Sequence, residues 1–180
     1  MTDKEISALN IKSACYYGKQ FQMNHFTEEV AELIQAVIER NPEHIAEEIA
    51  DVEVMVEQMQ VLLDLDPEEV AKGTVEGQYT MHNQCGDENS CIWSLAGAIK
   101  ALNKMRRTLR YTTLNDNIGR ADAKIQQATA KKDFEYRVGD AVSCLNWLAD
   151  KYSIAAGEIR EIKSYKVQRT RDRIAQEQGE

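Results

Sequence analysis

The sequence predicts an all-α protein: a helical bundle of two tandem antiparallel hairpin units, packed as one pseudo-dimeric domain of roughly seven to nine helices. Three observations carry this. The 180 residues hold only two prolines and nine glycines among many Ala, Glu, Gln, Lys and Ile, a composition that favours helix. Apolar residues recur at intervals of three and four, the period of one helix face. A polar stretch near the middle separates two segments in which the same order of helices recurs.

The first hairpin is the best marked. At about 100° per residue, Phe26, Val30, Leu33, Ile34 and Val37 fill one contiguous sector of a helix. Asn41-Pro42 reads as a turn. Beyond it Ile45, Ile49, Val52 and Val56 form the packing stripe of an antiparallel partner. Leu65-Asp66-Pro67-Glu68 opens a third helix, with Pro67 placed in its first turn. Residues 80–90, TMHNQCGDENS, break the period. They set the boundaries at a unit 1–80, a linker 81–92 and a second unit 93–180.

The second unit repeats the order. WSLAGAIKALNKM parallels the first helix of the hairpin, RVGDAVSCLNWLADKY the second, and SIAAGEIREIKSYKVQR the helix after Pro67. Setting Asp51 on Asp140 lays Val52 on Ala141, Met55 on Cys144, Met59 on Leu148 and Val70 on Ile159, so most core positions stay apolar. The stretch LRYTTLNDNIGRADAKIQQATAKKD, holding the 112–133 insertion, has no counterpart in the first half. It reads as a polar helix flanked by loops, either a lid or a surface elaboration. Trp93 and Trp147 fall on apolar stripes and read as core.

Two acidic signatures sit on the first hairpin: Glu28-Glu29-Val30-Ala31-Glu32 and Glu48-Ile49-Ala50-Asp51. Residues three apart share a helix face. Glu29 lies at the edge of the apolar sector with Glu32 about 60° further round, and Asp51 is offset from Glu48 in the same way. The four carboxylates then converge between helices whose axes lie roughly 8–10 Å apart. Either signature alone is common on a solvated face; the ordered pair predicts a metal site of Glu29, Glu32, Glu48 and Asp51.

All-carboxylate ligands suit Mg²⁺, with Mn²⁺ as the alternative. None of His25, His44 and His82 follows a Glu by three positions, so the Glu-x-x-His pattern of di-iron bundles is excluded. Mg²⁺ binds through few carboxylates together with substrate phosphates, which implies a phosphorylated substrate, a nucleotide above all.

On these residues the chain resembles the all-α nucleoside triphosphate pyrophosphohydrolases, the superfamily of MazG-like proteins, dimeric dUTPases and phosphoribosyl-ATP pyrophosphohydrolases. The stretch Phe26 to Gln58 carries their EExxE and ExxD in order, as EEVAE and EEIAD. The resemblance implies hydrolysis between the α- and β-phosphates of a nucleoside triphosphate, for nucleotide-pool control or sanitation, in a tandem-duplicated phage or bacterial member. It places Mg²⁺ on Glu29, Glu32, Glu48 and Asp51. The base that activates water is an unligated acid, Glu28 or Glu47, or one of the ligating carboxylates, Glu32 or Glu48. Rival substrates are dUTP and phosphoribosyl-ATP. A different class, a catalytically silent helical scaffold, remains open.

The halves differ in charge. Leu95 and Ala98 stand where Glu29 and Glu32 would be, Arg137 replaces Glu48, and only Asp140 persists. The final helix instead carries Lys163, Lys166, Arg169 and Arg173, where the aligned residues of the first half for the first three are Thr74, Gly77 and Thr80. The segment KSYKVQRTRDRI also resembles the C-terminal end of single-unit members. Either Lys163, Lys166 and Arg169 bind substrate phosphates in a composite site, or the stripe balances nearby acids at a helix C-terminus. For the nucleobase, Asn24, His25, Trp93, Trp147, Gln22 and Lys19 are candidates that the sequence does not rank.

A net charge of −8 argues against a nucleic-acid partner. The N-terminus MTDKEISALN is not a signal peptide and no apolar run reaches membrane length, so the expectation is a cytoplasmic chain with no membrane partner. An exposed apolar face would make a homodimer of pseudo-dimeric chains. Cys15 and Cys144 read as buried or half-buried, and Cys85 and Cys91 as reduced thiols in the linker. A zinc site from His82, Cys85 and Cys91 lacks a fourth ligand and a familiar spacing.

Overall fold

Helix α1 (Asp3–Tyr17) starts where Thr2 Oγ1 accepts from the Glu5 N–H while the Glu5 carboxylate accepts from the Thr2 N–H, pairing two otherwise free donors. Gly18, at φ 81°, ends it and leads into α2 (Lys19–Glu39). The Asn41-Pro42 joint forms as the sequence predicts. Arg40 takes the left-handed conformation, Asn41 Oδ1 accepts from the N–H groups of Glu43 and His44, and Pro42 opens α3 (Pro42–Leu62).

Four helices follow: α4 (Pro67–Asn83), α5 (Glu88–Leu114), α6 (Arg120–Tyr152) and α7 (Ala156–Gln178). Asp66 and Asp87 cap α4 and α5 by accepting from the N–H groups of Glu68 and Ser90. The structure, a computed structural model, describes residues 1–83, 86–114 and 120–179, the side chains of 110–114 and 120–121 excepted. Among the described residues there are seven helices and no strand, and no helix is long and apolar enough to cross a membrane.

The chain divides into two compact units, Met1–Asp64 with Leu148–Glu180, and Leu65–Trp147. In the first, α2 packs along α3, and α7 lies against α1 and α3. Its core is the predicted pair of stripes: Phe26, Val30, Leu33 and Val37 meet Ile45, Ile49 and Val52, each at most 1 % exposed. Burying such a side chain is worth about 1.5–3 kcal/mol. In the second unit Leu95, Ala98 and Leu102 of α5 are buried like Phe134, Val138 and Leu145 of α6. Helix α4 meets α6 backbone to backbone. A Cβ on Gly73 would collide with the Tyr136 carbonyl, and one on Gly139 with the Val70 carbonyl.

This division differs from the sequential halves 1–80 and 93–180. The units group α4 with α5 and most of α6, and α7 with α1, α2 and α3.

Other expectations shift as well. The linker 81–92 is mostly helix ends, since α4 runs to Asn83 and α5 begins at Glu88. The 112–133 insertion is no separate helix: its described parts are the end of α5 and the start of α6, and 115–119 lie outside the described residues. Trp93 is 79 % exposed, because α5 turns Cys91, Leu95 and Ala98 inward and Trp93, two residues from both Cys91 and Leu95, falls on the opposite side. Cys15 is exposed. Cys91 is buried rather than in a linker and pairs with the buried Cys144 by a side-chain hydrogen bond. Cys85, and with it the His82–Cys85–Cys91 zinc option, lies outside the described residues.

Candidate functional site

Helices α2 and α3 each deliver acids from the border of an apolar stripe. Carboxylate oxygens of Glu29, Glu48 and Asp51 all lie within 4.8 Å of one another. The same helix face that anchors them in the core takes them out of water: Glu29 is 9 % exposed and Glu48 6 %. Burial, with Asp51 beside it, pushes the Glu48 carboxyl up to about 7. Burial raises Asp51 too, against the pull of a hydrogen bond from Lys166. Glu48 Oε2 is buried without a hydrogen-bond partner, a costly state for a carboxylate oxygen. Three carboxylates of one hard donor type with oxygens this close, one of the residues also carrying an orphaned oxygen, fit a divalent cation such as Mg²⁺ or Mn²⁺. Glu32 lines the same cavity but is exposed and stands outside the close trio.

A histidine backs an acid on each helix. His25 Nε2 lies 2.6 Å from Glu29 Oε1, and that hydrogen bond raises the imidazole's pKa against the effect of burial. His44 Nε2 lies 3.3 Å from Glu48 Oε1, with its Nδ1 3.1 Å from Glu39. Both histidines precede their acid by four positions, one helical turn. That repeated spacing was present in the sequence, and a search for Glu-x-x-His passes over it. Such contacts fix the orientation of a ligating oxygen.

The acids open on a cavity of about 390 Å³ that also receives cations from α7. Lys166 Nζ donates to Asp51 Oδ2. Arg169 and Arg173 line the cavity, and Arg173 Nε donates to the Tyr17 hydroxyl at 3.1 Å. Lys163 is not on the lining; its ammonium pairs with Glu53 at 2.8 Å. Asn24 is exposed and off the lining as well. Glu28 lines the cavity from an exposed position, whereas Glu47 is exposed and does not line it. Gln22 and His25 reach the lining, as do Asn10, Ser13 and Tyr17 of α1, which the sequence did not single out.

The second unit has no such cluster among the described residues. Leu95 and Ala98 are fully buried, and Arg137 Nη1 lies 3.2 Å from Asp140 Oδ2.

Residues 18–86 match the family model described as MazG nucleotide pyrophosphohydrolase domain. No curated protein and no solved structure matches the chain. The matched stretch spans α2, α3 and α4 and is similar to a MazG domain there. Helices α1 and α7, which complete the cavity, lie outside the matched residues.

Proposed function

We propose that the chain is a Mg²⁺-dependent hydrolase that cuts nucleoside and deoxynucleoside triphosphates between the α- and β-phosphates, releasing monophosphate and pyrophosphate for nucleotide-pool control or sanitation. One observation carries this reading: the Glu29, Glu48 and Asp51 trio and the cations Lys166, Arg169 and Arg173 share one cavity. A metal-bound triphosphate needs both, acids for the ion and fixed cations for phosphate oxygens.

Bound Mg²⁺ supplies Lewis-acid charge and a water of lowered pKa. The protein's own groups do the rest. Glu29, Glu48 and Asp51 would hold the ion, Glu32 lies beside them on the cavity, and His25 and His44 keep two of those carboxylates oriented. Lys166 exchanges Asp51 for a phosphate oxygen, and Arg169 and Arg173 take the charge that develops on the departing pyrophosphate. Glu28, exposed on the cavity, or Glu32 accepts the proton of the attacking water. Lys163 and Asn24 stay outside this machinery. The second unit is read as a degenerate copy in which Arg137 stands where an acid would hold metal.

Phosphorus NMR of the purified chain with Mg²⁺ and a panel of canonical and modified nucleoside triphosphates tests the proposal. Monophosphate plus pyrophosphate is expected, lost in Glu48→Ala. Orthophosphate plus a diphosphate would put the cut at the wrong bond. No turnover, together with no stabilisation by Mg²⁺ and a neutral Glu48→Ala, would make the chain a scaffold.

A further inference from the structure

Four polar side chains on the cavity are as buried as the core: Asn10 at 1 %, Ser13 at 3 %, Gln22 at 2 % and Gln58 at 4 % exposed. Buried carboxamides are costly unless each polar atom is paired. Asn10 is fully paired. Its Nδ2 donates to the Val54 carbonyl at 3.0 Å and to Glu57 Oε2 at 2.7 Å, and its Oδ1 accepts from Gln58 Nε2 at 2.6 Å.

The Val54 carbonyl only accepts, so it fixes which end of the Asn10 amide is nitrogen. That in turn fixes Gln58 Nε2 as the donor and leaves Gln58 Oε1 as the free end. Gln58 Oε1 has no partner, and neither does Gln22 Oε1. Both are shielded from bulk water, a costly state for an amide oxygen. Glu48 Oε2 is the third buried atom without a partner, and all three residues line this one cavity.

We infer that Gln22 and Gln58 read the nucleobase of the substrate and select a base with an exocyclic amino group, adenine, cytosine or guanine, over uracil, thymine or hypoxanthine. This rests on the nucleotide reading proposed above. Two acceptor oxygens call for two neighbouring N–H hydrogens, which an amino group supplies alone or with a ring N–H. A base without the amino group offers one N–H at most: uracil turns its C4 carbonyl oxygen toward the second acceptor, where like dipoles repel, and hypoxanthine, lacking guanine's 2-amino group, leaves that acceptor facing a C–H. Tyr17 and Phe21, both on the cavity, stack at 5.1 Å between centroids with 26° between planes, and Phe21 is 51 % exposed. They offer a flat face beside which a base ring packs.

The test is equilibrium binding, by calorimetry with Mg²⁺, of α,β-imido analogues in two pairs: dCTP against dUTP, and dGTP against dITP. The amino-bearing member of each pair is expected to bind about tenfold tighter or more. Gln58→Met and Gln22→Met should each bring the ratio to about threefold or less while leaving Mg²⁺ affinity unchanged. Gln22→Met does not disturb Asn10, so it decides the matter if Gln58→Met fails to fold. Equal binding within the pairs, no binding of any analogue, or a ratio that survives the substitutions would overturn the inference. A ratio that holds in a protein that hydrolyses no triphosphate would leave base reading standing and remove the hydrolase proposal.

Discussion

Replacing Glu48 with Gln separates the cost of the acid cluster from its use. In the metal-free protein Glu48 titrates at about 7, against 4.5 for an ordinary glutamate. A raised folded-state pKa means that the folded chain holds a proton which the unfolded chain releases. The associated stability is fully present below pH 4.5 and is lost as pH rises through about 7. At about 1.4 kcal/mol per unit the loss is about 3 kcal/mol at pH 8.5. Glu48→Gln removes that ionisation. In EDTA at pH 8.5 the variant should therefore be the more stable protein by about 3 kcal/mol, roughly 6–12 °C in melting temperature. Near pH 4.5 the two proteins should converge. Mg²⁺ should then raise the wild type strongly and the variant little, because a ligand that binds only the folded state stabilises it by mass action. Thermal melts at both pH values, with and without Mg²⁺, measure all of this. A variant less stable than wild type in EDTA at pH 8.5 would refute the reasoning, since it would mean that the Glu48 carboxylate is favourably held without metal.

Three further outcomes follow from contacts at and beyond the site. Lys166→Ala frees Asp51 and removes a competing positive charge, so Mg²⁺ should bind roughly tenfold tighter without nucleotide while KM for a triphosphate rises by a similar factor. Lys163→Ala, whose ammonium belongs to Glu53, should leave both unchanged; calorimetry and steady-state kinetics read the pair together. His25→Ala releases Glu29 from a 2.6 Å contact and should weaken Mg²⁺ binding about 10–100-fold, which a calcium- or manganese-competition titration would show; an unchanged affinity would remove the orienting role. Gly139→Ala drives a Cβ into the Val70 carbonyl and should cost about 3 kcal/mol, seen as an early melting transition; a wild-type melt would mean that α4 and α6 separate without penalty.

The first hairpin was legible because its two apolar stripes are uninterrupted and its acids sit on their borders, so one angular count placed Glu29, Glu48 and Asp51 together; it placed Glu32 with them, which a further 60° round the helix leaves exposed and outside the close trio. Helix α1 was not. Its inward positions are Ile6, Asn10, Ser13 and Ala14, and two polar residues in four erase the stripe that marks a packed helix. Those polar residues line the cavity, so the feature that hid the helix is the one that contributes to the site. Trp93 was misplaced for the opposite reason. Ile92, Ala96 and Ile99 widen the apolar sector of α5 beyond the buried Cys91, Leu95 and Ala98, so the stripe reads too broadly and takes in Trp93. The division of the chain at 64 and 147 was hidden because α4 and α6 meet through Gly73 and Gly139, and a backbone contact leaves no side-chain pattern to read.

The two units put a cation on their surviving aspartate in different ways, and the difference separates an exchangeable site from a closed one. The register that lays Asp51 on Asp140 also lays Lys166 on Gly77 and Glu48 on Arg137. In the first unit α7 brings Lys166 to Asp51. In the second, α4 sets Gly77 so close that a Cβ there would stand 2.9 Å from Asp140 Oδ1, and no long side chain fits. The charge comes instead from Arg137, three residues before Asp140 on the same helix and 3.2 Å from it. Lys166 belongs to a different helix from its acid and borders an open cavity, so a phosphate can draw it away and leave Asp51 to a metal ion. Arg137 is tied to its acid by the helix that carries both, and the positions that would add ligands, Leu95 and Ala98, are fully buried and apolar. Arg137→Glu alone would thus leave the second unit with two acids side by side on one helix and no third ligand, a repelling pair rather than a restored metal site.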